Sequence, residues 1–468
     1  MKIYLDMVGC RLNQSEIEAM ANQLRYYGHQ VTGDPGEADL AIINTCCVTA
    51  KASADSRKMI RHVGNSGALE IMVTGCWVTM FPGEAVQLPK VKAIFSNDLK
   101  DNLVGELLRL QPEELILGGL PRDPLPGERH RTRAFIKVQD GCDAHCSYCL
   151  TRLARGRSRS VDLAVIGKNI EATQKGGTKE IVLTGVQLGA YGKDLEEKLS
   201  LCDLIKRVLH DYPGLRIRLS SIEPWDLSDE LLGLWESPNL CRHLHIPMQS
   251  GSAKILKRMA RRTTPEEFFD LVSKAQNLIP GIAITTDVIL GFPGETEEDF
   301  EETIAMIRKL KLAGGHAFTF SAMVGTPAEK FPEQVSYTVK KLRNHICRQA
   351  FEECKEVFHK LFIGQNFSVL WESAKLWNGT KPGESAKRME SSKLLLEAKP
   401  GESGKLPESE KVGENAKQGK MGWELSGLTD NYIRVKAFSE KNLENEISLV
   451  RLERIDPAGG WVHGEIIK

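Results

Sequence analysis

The densest chemistry in the chain lies in Gly141-Cys142-Asp143-Ala144-His145-Cys146-Ser147-Tyr148-Cys149. This is a C-x-x-x-C-x-x-C triplet directly after the apolar, strand-like run Ala134-Phe135-Ile136-Lys137-Val138. Three thiolates so close in sequence can grip one metal centre. Zinc and iron–sulfur clusters are the centres such thiolates hold, and ligand count separates the two. A structural zinc site takes four ligands. His145, Cys202 or Cys241 can supply a fourth, but no second C-x-x-C pair follows at zinc-ribbon spacing. A 4Fe-4S cluster on three cysteines instead leaves one iron open to a non-protein ligand. Zinc stands as the alternative.

A second set of cysteines is scattered through the first part of the chain. Lys2-Ile3-Tyr4-Leu5 leads to Gly9-Cys10, Asp39 to Thr45 leads to Cys46, and Ile71-Met72-Val73-Thr74-Gly75 leads to Cys76. In an open parallel sheet the carboxyl ends of the strands share one edge, where ligands bind. Three cysteines far apart in sequence can therefore meet. A single cysteine at a strand end reads as a small buried hydrophobe. Three at equivalent positions favour a second cluster site. Cys47 adjoins Cys46 and cannot easily point the same way, so it reads as packing or as a spare thiol.

The triplet's spacing resembles the radical S-adenosylmethionine (SAM) superfamily. Gly9-Cys10-Arg11-Leu12-Asn13-Gln14, Asn44-Thr45-Cys46-Cys47-Val48-Thr49 and Thr74-Gly75-Cys76, followed by that triplet, resemble the methylthiotransferase family over nearly the whole chain. The resemblance implies two 4Fe-4S clusters. Cys142, Cys146 and Cys149 would hold the one that cleaves SAM to a 5′-deoxyadenosyl radical, and Cys10, Cys46 and Cys76 the auxiliary one that delivers a methylated sulfur. It also implies SAM as both radical source and methyl donor, an electron-donor protein, and the tRNA anticodon stem-loop as partner. Val182 to Gly192 and Arg218 to Trp225 look most like the branch acting on N6-threonylcarbamoyladenosine beside the anticodon. N6-isopentenyladenosine in tRNA, or a ribosomal-protein aspartate, are the rival substrates. A metal-stabilised RNA-binding protein without turnover is the rival class.

Positioning such residues requires an α/β chain in three parts. Residues 1–120 alternate short apolar runs with helical segments, the pattern of an amino-terminal open parallel α/β domain carrying the auxiliary cluster. Pro121, Pro124, Pro126 and Gly127 mark a linker at 121–130. Residues 131–337 repeat strand then helix six times, with strands expected at 134–138, 180–183, 216–219, 243–246, 282–290 and 316–321. That implies a partial (β/α)6 barrel with its chemistry at the strands' carboxyl ends. Residues 338–363 read as a linking helix in which Cys347 and Cys354 share one face and pack. From 364 to 468 the short strands resemble the TRAM module, a small RNA-binding β-barrel. An insert at 373–424 repeats Glu-Ser-Ala-Lys and its variants, with few aromatics and both charge signs, the composition of a disordered loop.

Strand-end loops of the central domain carry further candidates. Gln187, Glu223, Gln249 and Asp287 lie in or beside segments that resemble those around the family's SAM pocket, although a capping or core role suits each as well. Thr296 with Asp299 reads as a helix amino-terminal cap. Arg152, Arg155, Arg157 and Arg159, directly after the cluster loop, favour RNA phosphates over a merely solvated surface. The sequence departs from the family at 151–153 and at 321–324, beside the expected substrate.

Composition sets the outer bounds. The chain has 468 residues, 11 cysteines and a formal net charge of zero, which excludes a uniformly basic nucleic-acid binder. No apolar stretch reaches the length of a membrane span, and the opening residues lack a basic region and cleavage site. A cytoplasmic location follows, where cysteines serve as ligands rather than disulfides.

Overall fold

The computed structural model describes residues 1–127, 130–378, 421–457 and 459–467. The amino-terminal sheet contains β1 (Lys2–Met7), β2 (Gln30–Thr32), β3 (Leu40–Thr45), β4 (Glu70–Gly75) and β5 (Val91–Phe95). They run parallel in the order β2-β1-β3-β4-β5. β3 is buried at every position, as a central strand covered on both faces must be. Its register pairs Met7 with Asn44 and Thr45 with Gly75, so the carboxyl ends of β1, β3 and β4 lie level along one edge. Helices α1 (Arg11–Tyr26), α2 (Ala50–Asn65) and α3 (Cys76–Met80) start close to that edge.

The central domain begins with β6 (Ala134–Lys137) and the short antiparallel pair β7 (Gln139–Asp140) and β8 (Arg159–Ser160) that frames the cysteine loop. β9 (Glu180–Thr184) and β10 (Arg216–Leu219) join β6 in one parallel sheet. β11 (His243–His245), β12 (Ala283–Leu290) and β13 (Gly314–Thr319) form another. Parallel bridges Ile217 to Leu240 and Ser221 to His245 connect the two. The six main strands thus follow one another around an incomplete barrel. Its apolar core takes in Ile136, Ile181, Leu219, Leu244 and Val288, and includes Cys347, Phe351 and Cys354 from the helix Tyr337–Lys360.

The carboxyl-terminal strands β14 (Asn366–Asn378), β15 (Met421–Thr429), β16 (Arg434–Ser439), β17 (Ile447–Ile455) and β18 (Val462–Ile466) close into a barrel, β14-β15-β16-β18-β17. Part of the expected insert is therefore strand. Ser373 pairs with Ser426 and Trp377 with Gly422, with Ala374 and Trp423 packed on the barrel core. The first Glu-Ser-Ala-Lys repeat belongs to β14. The other repeats, within 379–420, lie outside the described residues.

Barrel and carboxyl-terminal domain meet over a buried carboxylate. Glu180, fully buried on β9, receives Arg218 at 2.8 Å and Arg216 at 2.9 Å, both from β10. Arg218 also donates to the carbonyls of Thr429 and Asp430, each at 3.0 Å. Arg242 pairs with Asp430 at 2.6 Å. Burial alone would raise the Glu180 carboxyl, but Arg218, Arg216 and Arg133 outweigh it and hold it at about 2. The stability this supplies is complete above the unfolded value of about 4.3 and drains as pH falls towards about 2. Glu180→Gln strands buried guanidinium groups and should cost about 3–5 kcal/mol. Thermal unfolding followed through an acid titration should show the two chains' midpoints far apart near neutrality and converging on acidification.

Candidate functional site

Three thiols meet at the sheet edge. Cys10 opens α1, Cys46 follows β3 and Cys76 opens α3. Gly9 has φ +123°, and a Cβ there would stand 2.8 Å from Cys46 Cβ, so the Cys46 side chain lies directly against the Cys10 loop. Only a residue without Cβ fits. Asn13 fixes this corner by donating to the Val8 carbonyl at 2.8 Å and the Thr45 carbonyl at 3.2 Å, while its oxygen lies 3.6 Å from Cys10 Sγ. Asn97 donates to Cys76 Sγ at 3.5 Å. Cys10 is open to a cavity yet sits deep in the molecule, and burial pushes its thiol up. Cys46 is pushed up to about 12 by burial, with Cys10 and Cys76 close enough to add to it. Cys47 is buried in the sheet's core with Ile60 and Trp77.

The other three thiols surround a tight loop. Gly141 has φ +70°, and a Cβ on it would overlap the Arg157 carbonyl. Ala144 N–H points at Cys142 Sγ at 3.3 Å and Thr151 N–H at Cys149 Sγ at 3.4 Å. Such donors favour the thiolate. Burial nevertheless lifts Cys142 to about 11, so that thiol keeps its proton until a metal centre displaces it. Gln187 accepts from Cys142 Sγ at 3.2 Å. Glu223 is held by Arg261, which also reaches Cys146 Sγ at 3.7 Å and stacks on Trp225 at 4.5 Å. Gln249 and Asp287 lie further along the barrel, linked by the Gln249 N–H to the Asp287 carbonyl at 2.8 Å. Asp287 faces His245 at 3.3 Å, and its Oδ1 is buried without a hydrogen-bond partner among the described residues. Among those residues no three His, Cys, Asp or Glu side chains close in tightly enough for a single metal ion. A cubane cluster is larger than an ion, and its thiolates stand further apart.

The arginine run divides. Arg157 and Arg159 are exposed, and Arg152 lies against His145. Arg155 is corrected: its side chain is only 2 % exposed and pairs at 2.9 Å with both Glu16 and Asp140. It also donates to Asn13 at 2.7 Å. Lys100 completes the buried network on Glu16 at 2.7 Å. An arginine so enclosed cannot reach RNA. It ties α1 to the cysteine loop of the central domain and lowers the Cys10 and Cys46 thiols against burial.

A cavity of about 830 Å³ runs from Cys10 into the barrel. Asp287, His243, His245 and Ser220 line it from the strands, and Tyr432 and Arg434 from the carboxyl-terminal barrel. Arg11, Arg261 and Tyr432 have no role in the sequence reading. The signals were faint: Arg11 sits inside a recognised motif, and Arg216 and Arg218 alternate within an otherwise apolar strand.

Comparison with known proteins identifies the family. The Radical SAM superfamily profile matches residues 136–307, and that of Uncharacterized protein family UPF0004 matches residues 2–96. The chain is 38% identical to the Threonylcarbamoyladenosine tRNA methylthiotransferase MtaB of Thermotoga maritima, over 79% of this chain and 86% of that protein. It belongs to the radical SAM methylthiotransferase family. Another MtaB, from Bacillus subtilis, is 36% identical over 72% of this chain and 77% of its own length. The tRNA-2-methylthio-N(6)-dimethylallyladenosine synthase of Clostridium tetani is 35% identical, over 76% and 81%. Among solved structures, the radical SAM methyltransferase TsrM of Kitasatospora setae shares the fold at TM-score 0.53 and 14% identity, covering 70% of this chain and 76% of that one. Radical SAM methylthiotransferases use SAM and two 4Fe-4S clusters. Among the described residues no helix is long and apolar enough to cross a membrane.

Arg155→Met leaves Glu16, Asp140 and Asn13 without their shared donor. Loss of about 3–5 kcal/mol in unfolding free energy is expected, with the salt dependence of RNA binding unchanged. Arg157→Gln should do the reverse, flattening the salt slope of a filter-binding titration at unchanged stability.

Proposed function

We propose that this radical SAM methylthiotransferase replaces the C2 hydrogen of N6-threonylcarbamoyladenosine, next to the anticodon of tRNA, with a methylthio group. The observation that carries the reading is the 38% identity to an enzyme named for that substrate across most of both chains. Arg11, Asp287 and Arg434 on the wall of the cavity at Cys10 also suit a base with a polar substituent.

In this reading Cys142, Cys146 and Cys149 hold one cluster and Cys10, Cys46 and Cys76 the other. When bound, the clusters and SAM supply a radical that can take hydrogen from an aromatic C–H, together with a sulfur and its methyl group. The chain's own residues position the reactants. Gln187 and Glu223 stand beside the first thiol set, Glu223 being locked by Arg261. The buried, unpaired Oδ1 of Asp287 and the neighbouring Gln249 offer acceptors further into the barrel. His243 is kept neutral by burial and by Arg218, so it presents an uncharged ring to the cavity. Exposed Arg157 and Arg159, with Arg152, provide cations for the anticodon stem-loop. An electron-donor protein completes the system.

Mass spectrometry of tRNA nucleosides decides the substrate, using a host that lacks its own enzyme, with and without this chain. The expected product is 2-methylthio-N6-threonylcarbamoyladenosine; its dimethylallyl counterpart alone would move the substrate and keep the chemistry. Cys146→Ala should abolish formation of 5′-deoxyadenosine. Cys46→Ala should still form it but yield no thiolated tRNA, and full thiolation by that variant would overturn the assignment of the second cluster.

A further inference from the structure

Arg11 occupies an unusual electrostatic position. It directly follows Cys10, lines the same cavity and is half-buried. Its guanidinium donates to the Tyr432 hydroxyl at 3.2 Å, and among the described residues no carboxylate pairs with it. Two neighbouring arginines are treated differently. Arg218 is matched by Glu180, and Arg133 by Glu372 at 2.6 Å. Arg434, exposed at the cavity wall, lies over the Trp461 ring at 5.8 Å and pairs with no described carboxylate. A buried cation without a counter-charge is costly unless a ligand brings one.

Tyr432 marks where that ligand would sit. Its ring stacks on His243 at a centroid distance of 4.0 Å and lies 5.3 Å from the Arg218 guanidinium, which fixes it in place. Burial would raise its phenol, yet Arg11, Arg133, Arg218 and Arg434 together lower it. The arginines therefore make the potential at that oxygen positive. With its lone pairs engaged by Arg11, the hydroxyl can turn its proton towards an acceptor. Arg11, Tyr432 and Arg434 thus converge as donors, and no carboxylate among the described residues pairs with either arginine.

We infer that Arg11, held by Tyr432 and assisted by Arg434, binds the carboxylate of the threonylcarbamoyl group on the target adenosine. This rests on the proposed substrate. The carboxylate hangs from N6, so a base whose C2 faces the thiol set at Cys10 can extend its acid group to the residue next in the chain. A dimethylallyl group at N6 carries no charge and leaves Arg11 unpaired. Arg11 is accordingly a specificity-determining residue rather than a participant in hydrogen abstraction or sulfur transfer. The other anion within reach of such a site is a backbone phosphate of the tRNA.

The test uses the cluster-loaded full chain, SAM and three synthetic anticodon stem-loops. These carry threonylcarbamoyladenosine, its methyl ester, or dimethylallyladenosine at one position. Wild-type chain should prefer the acid to the ester by about 10- to 100-fold in kcat/KM, mostly through KM, the range of a charge-assisted hydrogen-bond pair. Arg11→Gln should lose that factor on the acid while handling the ester within about threefold of wild type. Arg434→Gln, at an exposed position, should lose a smaller part of the same factor. Dissociation constants for the acid and ester stem-loops should move in parallel, giving a readout independent of turnover. Equal loss on acid and ester in Arg11→Gln, or equally weakened binding of an unmodified stem-loop, would make the site a phosphate contact and overturn the inference. Should Arg11→Gln lose its iron, the wild-type ratio decides, and a ratio near one overturns it. Wild-type turnover of the dimethylallyl stem-loop alone would instead count against the proposed substrate.

Discussion

Burial of Arg155 between Glu16 and Asp140 is the contact on which the geometry of the active region depends. Glu16 belongs to α1 of the amino-terminal domain, and Asp140 precedes the cysteine loop of the barrel. One guanidinium therefore sets the distance and angle between two thiol sets that come from separately folded sheets. Buried ion pairs add little net stability against an apolar substitute, but they are exacting about geometry. That exactness suits chemistry in which two centres must address one base from fixed directions. Leu150, Ala154 and Met323 of the central domain pack into the core of the amino-terminal sheet, so the polar contact is locked by apolar ones.

A similar solution recurs at the other end of the barrel. Glu180 gathers arginines from β10, and one of them reaches across to the turn after β15. Both junctions use planar guanidinium groups, which satisfy several acceptors at once in fixed directions. The cavity lies between the two junctions, and each of the three domains contributes to its wall. The positively charged excess near Tyr432 is a by-product of this construction, and the proposed substrate carries the matching charge.

Much of this was legible in the sequence. The period of apolar runs marked all six strands of the partial barrel to within about two residues, because buried parallel strands are written as short apolar runs. The cysteines were legible because their spacing has few other uses. Arg155 was misread since a run of four arginines looks uniform in sequence. Only the fold shows that Arg155 closes a five-residue helix and turns inward, while Arg157 and Arg159 face out. Arg11, Arg261 and Tyr432 escaped notice for a related reason: their partners lie far off in the chain, and no local pattern records a contact between residues 11 and 432. The strand content of 373–378 was hidden by a repeat whose later copies have a loop-like composition.

The antiparallel pairing of β14 with β15 has an evolutionary corollary. Asn378 and Met421 face each other in register, so the stretch they bracket begins and ends at adjacent points whatever its length. Closing a flexible chain between two such points costs free energy that grows only logarithmically with length, about 0.6 kcal/mol for each doubling. Lengthening by duplication of a short polar unit is therefore nearly neutral there. The flanking strands lack this latitude, because a one-residue slip would turn Leu425 and Trp371 out of the barrel core. Length can drift at one rim of the barrel while its register stays fixed, and descendants of this sequence can carry inserts of very different size on an unchanged fold.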